Sequence, residues 1–485
     1  MPKKEDLIYF LSLEVENVRC FGSPAQLLKL SNKHNNPARW TLLLGDNSFG
    51  KTTVLQCLAW SKFVPSTPPD STKSLNNPDD KITKGPMECS LPEEENDVIE
   101  GLIRVGCNQL GINGQFVQGI KLDTNSKKNP LGNSIKTEIK VNFNNDGKLQ
   151  EFVIQPEKNS SVDDLLNSTY KEPFILVYGA NRFKGKLSIQ GEQDSESETT
   201  DRISSRLSDT TELYDAEEIL TYLDYKAIKS RADAGKKIKT TPDEERLTIF
   251  KKLIAAILPD GNIKAKDIHI YGPPRGVRLD TFSGKDIPFS ALSLGYQTTI
   301  RLIVDLAWRL SERYPESPNP FAEPAIVLID EIDLHLHPIW QRKLIDQLVE
   351  SLTGFSNSQF IVTTHSPLIV QSAAARQDAS IVVCRRESNQ VIIDQSVEAV
   401  KNWRADQILT SDLFGLETAR PIKIEDLLKE KADILSKPKL TKKDEKRLEI
   451  LNDKIGFLPV SENQDDNEAM EVIRKAANWL ITEAK

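Results

Sequence analysis

A glycine-rich segment near the N-terminus has the residue types and the spacing of a phosphate-binding loop. Residues 45–52 fit the pattern G-x-x-x-x-G-K-[ST], in which backbone N–H groups surround phosphate oxygens. Lys51 would reach the terminal phosphates of a nucleotide, and the Thr52 hydroxyl would bind Mg²⁺. The residues expected to line the nucleotide are Asp46, Asn47, Ser48, Gly50, Lys51, Thr52 and Thr53.

The same pattern also occurs in ordinary glycine-rich turns between a strand and a helix. The flanking residues favour the phosphate loop. An apolar run at residues 42–44 precedes it, and a helical pattern follows with Val54, Leu55 and Leu58 on one side. That helix would present the positive end of its dipole to the same anion.

Two apolar runs in the second half of the chain end in residues that can act on a phosphate. Residues 326–331 read as a buried strand ending in Asp330, which would help to hold Mg²⁺, and Glu331, which would polarise the attacking water. Residues 360–365 end at His365, whose neutral imidazole can hydrogen-bond a γ-phosphate. A core strand that happens to end in acids, and a structural histidine, are the alternatives. The order of the motifs along the chain favours the functional interpretation.

A second anion site is indicated between these motifs. Ser293 and Gly295 precede a strongly apolar helical pattern, and a Ser-x-Gly at a helix N-terminus can bind an anion. A single chain needs only one anion site of this kind to bind one γ-phosphate. A second site is expected where it binds the γ-phosphate held by a partner molecule. The spacing therefore predicts that a second molecule is involved.

The remaining elements are predicted from periodicity and turn signals. Residues 7–21 alternate apolar and polar, which predicts an edge strand of a mixed sheet. Arg19 or Phe21 would lie near the base or ribose, with a surface arginine beside a core phenylalanine as the alternative. Short alternating runs at 99–155, with a hairpin turn at 144–147, predict an antiparallel layer. Two helices are predicted, over residues 214–232 and from Thr241–Pro242 onwards.

The composition predicts a cytoplasmic protein that does not interact with membranes. No apolar run is long enough to cross a bilayer, and the first residues lack the apolar core of a signal peptide. The five cysteines are scattered without a C-x-x-C spacing, which favours reduced thiols. The net charge of −8 argues against a chain that coats nucleic acid nonspecifically. A local basic groove is still compatible with this charge, so nucleic-acid binding is possible at such a groove.

In their order, these motifs resemble the ABC-type ATPases. Residues 45–52 match Walker A, 292–297 the signature motif, 326–331 Walker B, and His365 the switch histidine. The resemblance implies an α/β fold, an ABC-ATPase head with a mixed sheet, a phosphate loop and an antiparallel β layer. It implies ATP and Mg²⁺ as nucleotide and cofactor. It also implies a homo-oligomer, a head-to-tail dimer or larger, in which Ser293 and Gly295 act in trans and Asp333 lies at the interface.

Residues 330–338 and 364–367 resemble the soluble OLD/RecF-like branch (the AAA_21/AAA_15 type) more closely. Within that branch, residues 178–182 and 405–415 resemble antiphage-defence ATPases such as the ATPase subunit of Septu, alone or joined to a retron. The spacing of His335 and His337 fits a loop better than a metal site. The glutamine that normally links the head to the helical lobe cannot be placed, because Gln115 and Gln190 both stand in weak contexts.

The predicted organisation has four segments. Residues 1–182 form the first half of the head, 183–285 a mobile loop and helical insertion, 286–400 the second half, and 401–485 a helical region that can serve for docking. The C-terminal acids, Asp465 and Asp466 among them, stand in polar loop sequence. A nuclease needs carboxylates that are held by a rigid sheet, so this chain is not expected to be a nuclease. The lysine-rich run at 437–447 reads as a solvated helix face or a docking surface.

Three functions follow from these observations. The first is an ATPase whose nucleotide-dependent assembly regulates a separate effector, a nuclease encoded nearby, in antiphage defence. The second is a RecF-like ATPase clamp that binds DNA in repair or maintenance. The third is an OLD-like ATPase with an unrecognised nuclease site.

Overall fold

The structure is a computed structural model. It describes residues 7–32, 35–61, 87–88, 102, 104, 107, 109–118, 133–143, 149–156, 174–184, 210–234, 239–258, 263–282, 284–317, 319–350, 357–395, 400–416, 422–437 and 441–455. The chain divides into two compact units, residues 1–414 and 415–485. The four predicted segments remain a prediction.

The described strands are β1 (Ile8–Glu16), β2 (Gln26–Lys29), β3 (Trp40–Leu44), β4 (Met87–Glu88), β5 (Gln109–Gln118), β6 (Asn133–Phe143), β7 (Leu149–Pro156), β8 (Ile175–Tyr178), β9 (Asn181–Lys184), β10 (Thr210–Leu213), β11 (Ile268–Ile270), β12 (Val277–Thr281), β13 (Gly284–Pro288), β14 (Ala325–Ile329), β15 (Ser358–Thr363), β16 (Ala379–Glu387) and β17 (Gln390–Asp394). The described α-helices are α1 (Lys51–Trp60), α2 (Ala216–Ala234), α3 (Pro242–Ile257), α4 (Leu294–Arg313), α5 (Pro338–Glu350), α6 (Pro367–Ala374), α7 (Ala405–Leu409), α8 (Ile422–Leu435) and α9 (Lys442–Ile455).

A six-stranded mixed sheet forms the centre of the first unit. Its strand order is β17-β16-β3-β15-β14-β8, and all neighbours are parallel except the antiparallel pair β16–β17. β3, β14 and β15 are buried along their whole length. This explains their continuous apolar sequences, because both faces of the sheet are covered. The predicted mixed α/β head is confirmed.

The two faces of this sheet belong to separate hydrophobic cores. In β3, Leu42 packs with helices α2 to α6, whereas Leu43 packs with α1 and the antiparallel layer. In β14, Val327 and Leu328 divide in the same way. Successive side chains of a strand point to opposite faces, so each strand contributes to both cores. The carboxyl ends of β3, β14 and β15 therefore stay fixed relative to one another.

The antiparallel layer has the strand order β2-β1-β5-β6-β7-β4. β6 and β7 pair in an antiparallel manner on either side of the predicted hairpin turn, whose own residues lie outside the described part of the chain. The prediction that residues 7–21 form an edge strand of the mixed sheet is wrong. β1 lies between β2 and β5 in the antiparallel sheet. Its alternation arises because only one face of this sheet packs on a core, and that pattern does not distinguish an edge strand from an inner one.

The helical side of the first unit confirms both predicted helices. α3 begins with a capping box, in which Thr241 accepts a hydrogen bond from the N–H of Glu244 and the Glu244 side chain accepts one from the N–H of Thr241. α2 and α3 pack with α4 in the same core as one face of the mixed sheet. β10 includes Thr210 and Thr211, which were predicted to be mobile; they pair with β9 in parallel. Pairing with a distant strand overrides their polar local sequence.

The second unit contains α8 and α9, which lie in the region that the sequence predicts to be helical. Ile434 and Leu451 lie in a small core of their own, and Arg447 binds Glu430 through two hydrogen bonds of 2.6 and 2.8 Å. The rest of the predicted helical region after residue 455, with the acids Asp465 and Asp466, lies outside the described residues. In the part of the chain that the structure describes, no helix is both long and apolar enough to cross a membrane.

Candidate nucleotide site

The phosphate loop connects β3 to α1 and depends on two glycines. Gly45 and Gly50 have φ values of +140° and +77°, a region that residues with side chains rarely occupy. A Cβ atom on Gly45 would lie 2.5 Å from the carbonyl oxygen of Cys384, and one on Gly50 would lie 2.5 Å from the Cys20 sulfur. The loop thus has room for glycine alone at both positions.

Lys51 starts α1 and is only 7% exposed. Its ammonium group donates hydrogen bonds to the carbonyl oxygens of Gly45, at 2.8 Å, and Asp46, at 3.0 Å. Burial lowers the pKa of Lys51 below its usual value, and nearby acidic groups oppose part of that decrease. The Lys51 side chain therefore lies along the inside of the loop. Asp46, Asn47 and Ser48 of the same loop are exposed.

Asp330 directly follows β14, and its side chain bonds a residue of α1 and the last residue of β15. Its carboxylate accepts a hydrogen bond of 2.7 Å from the Thr52 hydroxyl and one of 2.5 Å from the Thr363 hydroxyl. The Thr363 oxygen in turn accepts a bond of 2.7 Å from the N–H of Glu331. A hydroxyl beside a carboxylate is the kind of oxygen donor set that Mg²⁺ prefers. Thr52 and Asp330 therefore fit the predicted metal position.

Glu331 has an unusual backbone conformation. Its φ is +46°, in the left-handed region, which costs of order 1–3 kcal/mol for a residue other than glycine. The guanidinium group of Arg182 donates hydrogen bonds to the carbonyl oxygens of Asp330, at 2.7 Å, and Glu331, at 2.9 Å. Sequence reasoning assigned no role to Arg182 or Thr363. For Arg182 a signal existed, because it is the last residue of the segment 178–182 that resembles antiphage-defence ATPases.

The loop after Glu331 is connected to the segment that carries His365. His365 is exposed, and its backbone N–H donates to the Asp333 carboxylate at 3.3 Å. Gln341 donates to the carbonyl oxygen of Leu336 at 2.9 Å and accepts a bond of 2.7 Å from the Ser366 hydroxyl. These bonds join the predicted interface loop to the predicted switch histidine within one chain.

The signature segment lies at the start of α4. Ser293 is the exposed N-cap residue, and its side chain makes no capping hydrogen bond. A Cβ atom on Gly295 would lie 2.6 Å from the carbonyl oxygen of His335, so the glycine packs against the loop that follows Walker B. Among the described residues, no hydrogen bond joins Ser293 or Gly295 to the phosphate loop. The structure thus brings together the predicted residues of Walker A and Walker B and leaves the signature pair outside that network.

The predicted base or ribose contacts have two different surroundings. Phe21 is fully buried in the core between the sheets, as the alternative interpretation expected. Arg19 lies beside α1 and donates to Thr53 at 3.3 Å and to Gln56 at 3.0 Å. Contact of Arg19 with a nucleotide remains a prediction.

The candidate linking glutamines and the two histidines after Walker B were also considered from the sequence. Gln115 lies in the antiparallel layer, where it accepts a hydrogen bond from Ser12, and Gln190 lies outside the described residues. Within the described ranges, no group of three or more His, Cys, Asp and Glu residues could hold a metal ion by itself, and this includes His335 and His337.

A phosphate loop and a strand-end acid pair on the same edge of a mixed sheet define an ATPase of the AAA/ABC type. The chain belongs to the AAA ATPase domain family (AAA_15), whose sequence profile matches residues 10–370.

Similar proteins carry names from defence systems. A retron Vc95 probable ATPase of Vibrio cholerae serotype O1 biovar El Tor is 25% identical over 386 residues, which cover 72% of this chain and 70% of that protein. The Septu protein PtuA of Bacillus mycoides is 33% identical over 164 residues, but this match covers only 34% of this chain and 22% of PtuA. The predicted resemblance to antiphage-defence ATPases is confirmed.

The structure is also similar to the SMC head domain from Thermotoga maritima. The match covers 80% of this chain and 99% of that head, with 12% sequence identity and a TM-score of 0.39. This score is low, and the class of fold follows from the strand order and the phosphate loop described above.

Proposed function

We propose that this ATPase hydrolyses ATP in sites shared by two copies arranged head to tail, and that the resulting assembly regulates a separate effector. The observation that supports this most directly is the separation of the site into two parts. Thr52 of the phosphate loop is bonded to Asp330, whereas Ser293 is exposed and makes no capping bond. An exposed helix N-terminus that its own chain does not use is available to a nucleotide held by another copy.

In this proposal each part of the bonded network has a separate task. Lys51 binds the terminal phosphates, and Thr52 and Asp330 hold Mg²⁺, which neutralises phosphate charge when bound. Glu331 orients and polarises the attacking water, and His365 hydrogen-bonds the γ-phosphate.

The second copy would complete the site through its signature segment. Ser293 and Gly295 would bind the γ-phosphate from the opposite side. Leu294 between them is 54% exposed, so a partner surface can cover it. Because Gly295 packs against the carbonyl oxygen of His335, docking at the signature segment would also act on the loop after Walker B.

We place the effector, a nuclease, in a separate protein. The support is similarity to proteins named for the retron and Septu systems, together with the sequence context of the C-terminal acids, which stand in polar loop sequence. The second unit, with α8 and α9, would serve as a docking module. Proteins that co-purify with the native chain would identify the effector.

Complementation between two inactive variants tests the shared site. Lys51→Ala removes the phosphate-binding half of one copy, and Ser293→Arg blocks the signature half of another. Mixed together, they should recover about one intact site per dimer, measured as ATP hydrolysis. If the mixture remains inactive although both variants still assemble, the head-to-tail arrangement is wrong.

Glu331→Gln separates binding from hydrolysis. Loss of the group that polarises water should slow hydrolysis by roughly 10³-fold and leave ATP-bound oligomers intact, as measured by light scattering. DNA added to the same preparations tests the other functions. Salt-sensitive, tight binding without a partner would favour a DNA clamp, and cleavage that survives Lys51→Ala would favour a nuclease in this chain.

A further inference from the structure

Arg182 is placed against the turn that carries both acids. It lies in β9, immediately after the strand that pairs with β14, and its guanidinium group makes three hydrogen bonds to backbone carbonyls. These go to Gly179 at 3.3 Å, Asp330 at 2.7 Å and Glu331 at 2.9 Å. The planar fork of an arginine suits this arrangement, because it can bond neighbouring acceptors at the same time.

The backbone N–H groups of the same turn are also held. The N–H of Asp330 donates to the carbonyl of Tyr178 at 2.8 Å, and that of Glu331 donates to the Thr363 hydroxyl at 2.7 Å. The peptide groups of the turn are therefore fixed from both sides. By contrast, the Glu331 carboxylate has no hydrogen bond to any residue that the structure describes. The backbone of Glu331 is held while its acid group remains free.

The bonds to Arg182 are needed because the turn is strained. Glu331 has a φ of +46°, and such a conformation persists only where the surroundings determine it. Without the guanidinium group, the Asp330 carbonyl oxygen would lose this partner, and the Glu331 carbonyl oxygen would keep the bond of 3.0 Å from the N–H of Leu334. The turn could then relax into a conformation with a negative φ. That change would rotate the Cα–Cβ bond of Glu331 and displace its carboxylate.

We propose that Arg182 is a positioning residue for ATP hydrolysis, which holds the Asp330–Glu331 backbone in the left-handed turn that aims the Glu331 carboxylate. This inference rests on the proposed role of Glu331 as the acid that polarises water. Arg182 acts through backbone carbonyls and does not touch the nucleotide. Its loss should therefore affect the chemical step and leave ATP binding nearly unchanged.

The test is single-turnover ATP hydrolysis by the full chain, with ATP affinity measured separately. Arg182→Gln removes the fork, and hydrolysis should slow by roughly 100-fold, since misplacing a catalytic group by about 1 Å costs that much. The Kd for ATP should change by less than about threefold, because uniform binding is untouched. When Glu331→Gln is already present, adding Arg182→Gln should slow hydrolysis by less than about a further threefold. The effects of residues that act as a unit on the rate are not additive.

Two other variants address folding. Arg182→Lys keeps the buried charge, but its single nitrogen cannot reproduce the fork, so it should show the same loss of rate with ATP binding retained. Arg376→Gln is the matched control. Arg376 is an arginine with 15% side-chain exposure that is paired with Asp378 and Asp346, and its loss should lower the melting temperature without changing the rate of folded protein.

The outcomes distinguish this inference from the proposed function. Full activity of Arg182→Lys, an equal loss of ATP affinity and rate in Arg182→Gln, or full additivity with Glu331→Gln would each overturn the positioning role. If Glu331→Gln hydrolyses ATP as fast as the unmodified chain, the proposed catalytic role of Glu331 fails first, and the inference about Arg182 fails with it.

Discussion

The two halves of the nucleotide site are built in opposite ways. The acid half consists of Thr52, Arg182, Asp330, Glu331 and Thr363, and the signature half consists of Ser293, Leu294 and Gly295. In the acid half, two hydroxyl groups donate to the Asp330 carboxylate, and the guanidinium group donates to backbone carbonyls of the same turn, all within one chain. In the signature half, the first two residues are exposed, and the serine side chain makes no capping bond.

The two halves differ in the contacts that hold their residues in place. The acid half is preorganised by the fold, so changes there should alter both stability and chemistry. In the proposed function, the exposed residues of the signature half, Ser293 and Leu294, gain contacts on assembly, so changes to their side chains should alter assembly and leave the folded chain unaffected. Mutations that remove one group from each half therefore test the comparison directly.

Among the changes that compare the two halves, the largest effect is expected for Thr363→Val in the acid half. The change removes the hydroxyl that bonds Asp330 and leaves the N–H of Glu331 without its acceptor. We expect hydrolysis to slow by roughly 100-fold. An unsatisfied buried donor should also lower the free energy of unfolding by about 1–3 kcal/mol. Hydrolysis assays and denaturant unfolding measure the two effects.

Thr41→Val provides the matched control on the neighbouring strand. Thr41 is also fully buried, but among the described residues its hydroxyl has no hydrogen-bond partner. Replacing it with valine should leave hydrolysis unchanged and stability equal or higher. If Thr41→Val reduces hydrolysis as strongly as Thr363→Val, general damage to the sheet explains the loss better than the bonds to the acids.

A smaller effect, confined to assembly, is expected for Leu294→Gln in the signature half. The side chain is 54% exposed, so the free energy of unfolding should change by less than about 0.5 kcal/mol. ATP-dependent assembly should weaken by roughly tenfold, because a leucine buried by the partner contributes about that much. Sedimentation with the Glu331→Gln chain measures assembly without turnover.

Leu27→Gln is the control for this change. Leu27 is 47% exposed on β2 in the antiparallel layer, away from the signature segment. Assembly that weakens equally in both variants would contradict a specific role for the signature half. A large loss of stability in Leu294→Gln would contradict its assignment as the half that the fold does not order.

The smallest effect is expected for the pH dependence of ATP binding. Burial lowers the pKa of Lys51, so this group loses its charge at a lower pH than an exposed lysine, whose pKa is about 10.4. Phosphate binding favours the protonated form. The Kd for a fluorescent ATP analogue should therefore increase as the pH rises through the alkaline range.

Lys51→Arg separates this group from others that titrate in the same range. The guanidinium group keeps its charge to above about pH 12, so the affinity of this variant should stay level over the same pH interval. A parallel fall in both proteins would assign the pH dependence to a different residue. Circular dichroism at each pH verifies that the fold is intact.

Local patterns in the sequence were sufficient for part of the fold and of the site. The phosphate loop at Lys51 and the strand that ends at Asp330 combine a short motif with an apolar run, and both depend on neighbouring residues. The capping box at Thr241 is local in the same sense. These features could be predicted because the groups that form them are close together in the chain.

The features that sequence reasoning missed are long-range. β1 was assigned to an edge because its partner β5 comes roughly a hundred residues later, and alternation does not identify neighbours. Thr363 was part of an apolar run and Arg182 part of a segment that resembles antiphage-defence ATPases, but neither side chain was assigned a task. Their roles depend on strand order, which brings the ends of β8, β14 and β15 to one edge of the sheet.

The packing around Gly45 and Gly50 has a consequence for synthesis of the protein. The phosphate loop leaves the ribosome before β16, yet the surfaces against which the loop packs include Cys384 in that strand. Domains form as units while the chain emerges from its N-terminus. A nascent chain must therefore be extended past β16 before it acquires its nucleotide pocket, and shorter nascent chains carry the motif without the site.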